Sequence, residues 1–149
     1  MKQELDIRPI GEARMPGLAS LYRYLHPRDP ALAVVTARMT LRQAAAEPGS
    51  AVLVGFLDNA PVTTCTLVVI PSGARGGEPS ALIENVVTLP DRRRRGYGTQ
   101  VLHAALARAW EAGCFRATAL TTSLDDVPPD FFLASGFAHM ASGFRLHRT

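Results

Sequence analysis

Apolar positions change period several times along the chain, and each change marks an element. LDIRPI (5–10) reads as a short first strand. After Pro16, the spacing of Leu18, Leu21, Tyr22 and Leu25 predicts a helix within 12–27, closed by Pro27. A second helix is expected over 29–49, with Asp29 as N-cap, Pro30 at the first helical position and Pro48-Gly49 as its stop. AVLVGFL (51–57) is then continuously apolar, DNAP (58–61) is turn chemistry, and VTTCTLVVI (62–70) is rich in β-branched residues. This is the pattern of a hairpin at the centre of a sheet. PSGARGGEPS (71–80) is a loop, and ALIENVVTL (81–89) is a further strand ended by Pro90.

The strongest helical pattern is GYGTQVLHAALARAWEAG (96–113), where Val101, Ala105 and Ala109 form one apolar row and Leu102, Leu106 and Trp110 the next. Gly113 is its C-terminal stop, and Trp110 is expected in the core. FRATALTTS (115–123) reads as a strand, PPDFFLASG (128–136) as a short helix beginning after Asp126, and FAHMASGFRLHR (137–148) as a terminal hairpin. The order β-α-α-β-β-β-α-β-α-β-β predicts a mixed α+β fold with about seven mostly antiparallel strands and about four helices. The strands at 81–89 and 115–123, joined by a helix, form a right-handed parallel crossover. No repeat or linker divides the chain, so 1–149 is read as one domain.

Composition narrows the reading without deciding it. Apolar residues make up 47% and charged residues 19%, which suits a packed domain rather than a disordered one. No apolar run reaches the roughly 20 residues of a membrane helix, and no leader pattern opens the chain. Cys65 and Cys114 lie at no metal-ligand spacing, so no metal is expected; they read as buried free thiols in a reducing cytoplasm. The net charge of +3 is carried almost wholly by arginine, Lys2 being the only lysine, and is too small to indicate nucleic acid.

The candidate chemistry begins at DRRRRGYG (91–98), where four arginines precede two glycines at the start of a helix. Helix N-termini present unpaired N–H groups and partial positive charge, which favour an anion. Gly96 and Gly98 let a phosphate approach the backbone, and arginines add field and bidentate donors. A Walker loop would need a lysine, and a dinucleotide fingerprint would need a third glycine where Val101 stands. What remains is Arg-x-x-Gly-x-Gly, from Arg93 to Gly98.

That motif, following ENVVTLP and preceding FFLASGF (131–137), resembles the coenzyme A signature of the GCN5-related N-acetyltransferase (GNAT) family. The resemblance spans most of the chain. It implies acetyl-CoA as cofactor, with Arg93, Arg94, Arg95, Gly96, Tyr97, Gly98 and Thr99 at its pyrophosphate. It implies backbone contacts from Val86, Val87 and Thr88 to the pantetheine arm, and direct transfer of acetyl to a primary amine of a small molecule or peptide.

Glu84 and Asn85 interrupt an apolar strand, and each needs a polar partner if buried. A partly desolvated carboxylate suits a base that takes a proton from an ammonium, so Glu84 is read as general base or as substrate counter-ion. Asn85 is read as structural. Tyr22 and His26 are candidates for the acceptor pocket, with Arg75 and Glu78 of the 71–80 loop. Phe132 stands where the family often carries an acidic tyrosine, and Pro128 where an asparagine is common. Ser123, Ser135 or Tyr97 would have to supply a hydroxyl instead, unless the thiol, with a pKa of about 8.5, leaves unaided. The alternative is a catalytically silent acyl-CoA-binding sensor. A nucleic-acid binder using Arg92 to Arg95 lacks interleaved aromatics. His103 reads as a surface or boundary residue, and His139 and His147 have no partner pattern. A homodimer through the terminal hairpin is compatible with the sequence.

Overall fold

A computed structural model describes residues 2–11, 15–25, 39, 42–43, 46–120, 127–140 and 144–148. The α-helices and strands run β1 (Asp6–Pro9), α1 (Met15–Leu25), β2 (Ala51–Leu57), β3 (Ala60–Ile70), β4 (Ser80–Thr88), α2 (Tyr97–Glu111), β5 (Ala117–Ala119) and α3 (Pro129–Leu133). The strands form one sheet in the order β1-β2-β3-β4-β5. All neighbours are antiparallel except β4 and β5, which are parallel across the α2 crossover.

The continuous apolar run of β2 has a direct cause: the sheet is covered on both faces. Ala51 and Leu53 point to the layer formed by Val101, Leu102, Ala105 and Ala109 of α2, together with Cys65, Leu67 and Ile83. Val52, Val54 and Phe56 point the other way, to Leu18, Leu21 and Leu25 of α1. Between β2 and β3, Asp58 and Asn59 both have positive φ (48° and 68°), as a type I′ hairpin turn requires.

Several expectations need correction. Among the described residues five strands occur rather than about seven, with three complete α-helices, and residues 39, 42, 43 and 46, inside the expected second helix, are also helical. The second helix, expected over 29–49, lies largely outside the described residues. The terminal hairpin is not formed by residues 137–140 and 144–148. Phe144 and Leu146 are 98% and 96% exposed, so no layer among the described residues covers their apolar faces, and a two-stranded ribbon without such a layer is marginal. Of the described residues in the expected strand 115–123, β5 covers Ala117–Ala119, and 121–123 lie outside the described residues. Trp110 is 51% exposed rather than core, because one step of about 100° from fully buried Ala109 turns it away from the sheet. The loop after β3 is also displaced from its expected role. The Ile70↔Ser80 pairing places it at the start of β4, where the Arg75 guanidinium lies 4.5 Å from the Phe115 ring centroid. Arg75 and Glu78 therefore sit at the opposite end of β4 from Val86–Thr88.

Candidate active site

The site grows from an irregularity in β4. Thr66 pairs with Glu84 and Thr64 with Val87, so Asn85 and Val86 together oppose Cys65. This is a β-bulge. Asn85 occupies its left-handed position at φ 54°, a region that asparagine enters more readily than most residues. That conformation accounts for the polar residue in an apolar strand. The Asn85→Val variant is expected to lose about 1–2 kcal/mol of stability in chemical denaturation, and Asn85→Gly much less.

The bulge also changes which way the side chains face. Glu84 shares a face with its cross-strand partner Thr66, the face covered by α1. Val86, two residues on, packs instead in the α2 layer, while Val87 returns to the α1 layer. Without the extra residue, Glu84 and Val86 would face the same way.

Among the described residues, one edge of β4 opens beyond the bulge: β5 pairs with Ala81–Ile83, and the last contact on that side is the Leu120 N–H donating to the Ile83 carbonyl at 3.3 Å. On the β3 side, the Leu89 N–H donates to the Val62 carbonyl at 2.9 Å. Backbone groups alternate along an antiparallel ladder, so those of Val86 and Thr88 point to the open edge. The Thr88 carbonyl there accepts from Arg93 Nε at 3.2 Å. The Thr88 side chain is held as well. Thr63 Oγ1 donates to the Val87 carbonyl at 3.1 Å and lies 2.8 Å from Thr88 Oγ1, which leaves the Thr88 hydroxyl as donor in that pair.

Next comes the arginine–glycine turn. Arg94 and Gly96 have left-handed φ of 59° and 80°, and Gly96 is the N-cap of α2. No side chain caps this helix, so the N–H groups of its first turn retain their donor capacity. The open strand edge, the turn and α3 enclose a cavity of about 420 Å³. Val86, Val87, Thr88, Arg93, Arg94, Gly96, Tyr97, Gly98 and Thr99, all candidates from the motif, line it. Arg92, Val127, Pro128 and Phe131 line it too and were not anticipated, whereas Arg95 does not line it. The Arg95 side chain lies on the far side of the turn with Lys2 and Gln3. Tyr97 is 3% exposed and packs with Leu5, Leu57 and Val62, so its phenol belongs largely to the core.

Gly98 marks the tightest point of the cavity wall. A β-carbon there would lie 3.2 Å from Phe131 Cε2 and 3.4 Å from Thr88 Oγ1. The position expected to replace the acidic tyrosine also needs correction. Phe132 is buried between Phe131 and Phe137, with ring centroids at 5.1 and 5.5 Å, and Phe131 is the aromatic ring on the cavity. Adjacent residues of a helix differ by about 100°, a distinction that motif alignment does not capture.

Glu84 is half-buried and lies just beyond the cavity lining, on the α1 side of the sheet. Tyr22 of α1 approaches the same patch. Burial pushes its phenol up, the neighbouring Thr66 hydroxyl partly offsets this, and Cys65 adds a further rise. The buried Thr66 hydroxyl lies near the Tyr22 phenol without a hydrogen bond of ordinary geometry. Tyr22, Thr66 and Glu84 thus converge on one face. His26 and Ser123 lie outside the described residues. Ser135 is half-buried outside the cavity lining, and His103 is exposed on α2.

Both cysteines are buried and unpaired. Burial pushes the Cys65 thiol up to about 12 and also raises that of Cys114. Neither should react with a thiol reagent at pH 8 on the time scale at which the denatured chain reacts. Because the folded Cys65 keeps its proton longer than the unfolded residue, its contribution to stability is intact below its ordinary value of 9.0. That contribution is lost progressively from there to about 12. Among the described residues no group of three His, Cys, Asp or Glu side chains is arranged to hold a metal.

The mixed sheet, opened at β4 beside an uncapped helix N-terminus, belongs to a fold shared with acetyltransferases of known structure. The chain superposes on an acetyltransferase from Agrobacterium tumefaciens str. C58 with a TM-score of 0.87 and 36% identity, covering 96% of this chain and 99% of that one. Glucosamine-6-phosphate N-acetyltransferase from Arabidopsis thaliana has the same fold, with TM-score 0.86, 13% identity and coverage of 97% and 99%. So does the aminoglycoside N-acetyltransferase AAC(6')-Iy in complex with CoA, with TM-score 0.79, 17% identity and coverage of 97% and 95%. No curated protein matches the sequence. The sequence pattern of the acetyltransferase (GNAT) family matches residues 18–137. The chain belongs to the GNAT acetyltransferase family, and its enzyme class is that of an N-acetyltransferase.

Proposed function

We propose that the protein, as a single domain over 1–149, moves an acetyl group from acetyl-CoA directly to the primary amine of a small molecule or peptide. The observation that carries this reading is the strand edge opened at Asn85, running straight into the uncapped first turn of α2. The residues present suit the cofactor: Gly98 leaves room where a β-carbon would press on Phe131, and Arg92, Arg93 and Arg94 surround the same space. The N–H groups of Tyr97, Gly98 and Thr99 would hold the pyrophosphate, and the outward backbone groups of Val86 would pair with the pantetheine arm. When bound, acetyl-CoA supplies an activated thioester.

Glu84 is assigned as the group that takes the proton from the acceptor ammonium, directly or through water. It lies next to the bulge, on the face of the sheet that α1 covers. Tyr22 and His26 are assigned to the acceptor side, with Tyr22 also narrowing access to Glu84 from α1. Phe132 stands in place of the family's tyrosine, so the departing thiol relies on its own acidity, with a pKa of about 8.5, or on water.

The absence of that tyrosine favours one other reading, a silent acyl-CoA-binding sensor. Thiol release from acetyl-CoA, followed across a panel of amines, separates the two. Amino sugars and aminoglycosides belong in that panel because structural neighbours include enzymes named for them. Release with any amine above the hydrolysis background supports the transferase; binding without release supports the sensor.

The described residues contain no helix long and apolar enough to cross a membrane, and the unpaired thiols fit a reducing cytoplasm. A homodimer is part of the proposal. Phe144 and Leu146, two residues apart and almost fully exposed, have the spacing of one face of a strand. Among the described residues, β5 has no neighbour on its outer edge. Sedimentation should show a dimer that Phe144→Asp with Leu146→Asp converts to monomer; a wild-type monomer would remove this part of the proposal.

A further inference from the structure

The turn before α2 has a second side. Beyond Gly96 lies an open cavity of about 740 Å³ lined by Lys2, Gln3, Arg94, Arg95, Gly96 and Tyr97. Its wall contains three cations and no acidic side chain, and none of the three forms an ion pair among the described residues. Like charges gathered without a counter-charge raise the local potential and favour an anion.

The sole lysine is held in this position. The Leu5 N–H donates to Gln100 Oε1 at 3.0 Å, and Gln100 Nε2 donates to the Gln3 carbonyl at 3.0 Å. One amide on the first turn of α2 therefore ties down the N-terminal segment on both sides of Glu4. Leu5 is buried against Tyr97, which anchors the segment from below. The result places Lys2 beside the turn: a methyl group built on Gly96 would lie 3.5 Å from Lys2 Cε and 3.7 Å from Nζ.

We infer that Lys2, with Arg94 and Arg95, forms a second phosphate subsite that takes the ribose 3′-phosphate of the cofactor. This rests on the acetyl-CoA reading. That molecule carries two phosphate-bearing positions at its nucleotide end, and the turn separates two cationic spaces that share Arg94, Gly96 and Tyr97. A pyrophosphate over the α2 amides leaves the 3′-phosphate as the anion for the Lys2 side. Gln100 acts as a positioning residue, since it holds Lys2 without lining either space.

The test compares CoA with 3′-dephospho-CoA by calorimetry at low ionic strength. The wild type should prefer CoA by about tenfold, the scale of a charge-assisted contact reduced by solvent exposure. Lys2→Gln should lower that preference to about threefold or less while leaving 3′-dephospho-CoA affinity within about twofold, and Gln100→Ala should act in the same direction. Added salt should erode the wild-type preference. Equal affinity of the wild type for both ligands, or an unchanged preference in Lys2→Gln, overturns the subsite while the cofactor reading stands. If neither ligand binds the wild type, the cofactor reading fails, and the subsite with it.

Discussion

The Gly98→Glu variant is expected to bind acetyl-CoA at least about 100-fold more weakly than the wild type, because it puts bulk and negative charge where an anion must sit. Two observations set this expectation. Gly98 lies in the uncapped first turn of α2, and its β-carbon position is already 3.2 Å from Phe131. Its φ is not in the left-handed region, so the backbone accepts any residue and the fold should survive. Gly98→Ala then serves as a graded control, since a shift of a few tenths of an ångström at Phe131 accommodates one methyl. Gly96→Glu should also abolish binding, but for mixed reasons: Gly96 has φ 80°, and a side chain there adds about 1–2 kcal/mol of backbone strain. Calorimetry and chemical denaturation on the same samples separate lost binding from lost fold. Unchanged affinity in Gly98→Glu would remove the cradle.

The second large effect is expected at Glu84. The Glu84→Gln variant should lose about 100-fold or more in kcat/KM below the pKa of the acceptor amine, the lower range for removing a general base. The sign of the pH dependence follows from what the base does. At low pH the acceptor is an ammonium and needs a group to take its proton; at high pH more of it is already neutral. The deficit should therefore narrow as pH rises, with acetyl-CoA affinity unchanged throughout. A deficit that stays constant with pH would make Glu84 a positioning carboxylate rather than a base.

How far the sequence could be read depends on the range of the forces involved. The two-faced burial of β2, the turn at Asp58-Asn59 and the sheet-facing row Val101, Ala105 and Ala109 follow from local pattern, and the structure contains all of them. The arginine–glycine turn was legible for the same reason, because a strand end, two glycines and a helix start are contiguous. Features set by pairing across the sheet were not. Asn85 could be seen as an odd residue in a strand, yet that it bulges, and so turns Glu84 and Val86 to opposite faces, depends on its register with Cys65. The loop after β3 looked suitable for an acceptor pocket by composition, but the hairpin register places it at the far end of β4. Phe131 and Phe132 are neighbours in sequence, and only the setting of α3 against the sheet decides which of them meets the cavity. Lys2 reaches the turn through Gln100, 98 positions away from it, a contact with no local signal.

The central claim is that the opened edge of β4 and the first turn of α2 form one acetyl-CoA site that serves transfer to an amine. The most direct measurement is calorimetric titration of the wild type with acetyl-CoA, followed in the same sample by thiol release on adding amines. Saturable binding that Gly98→Glu abolishes, with release on at least one amine, is the expected result. Absence of binding in the wild type would contradict the account at its base.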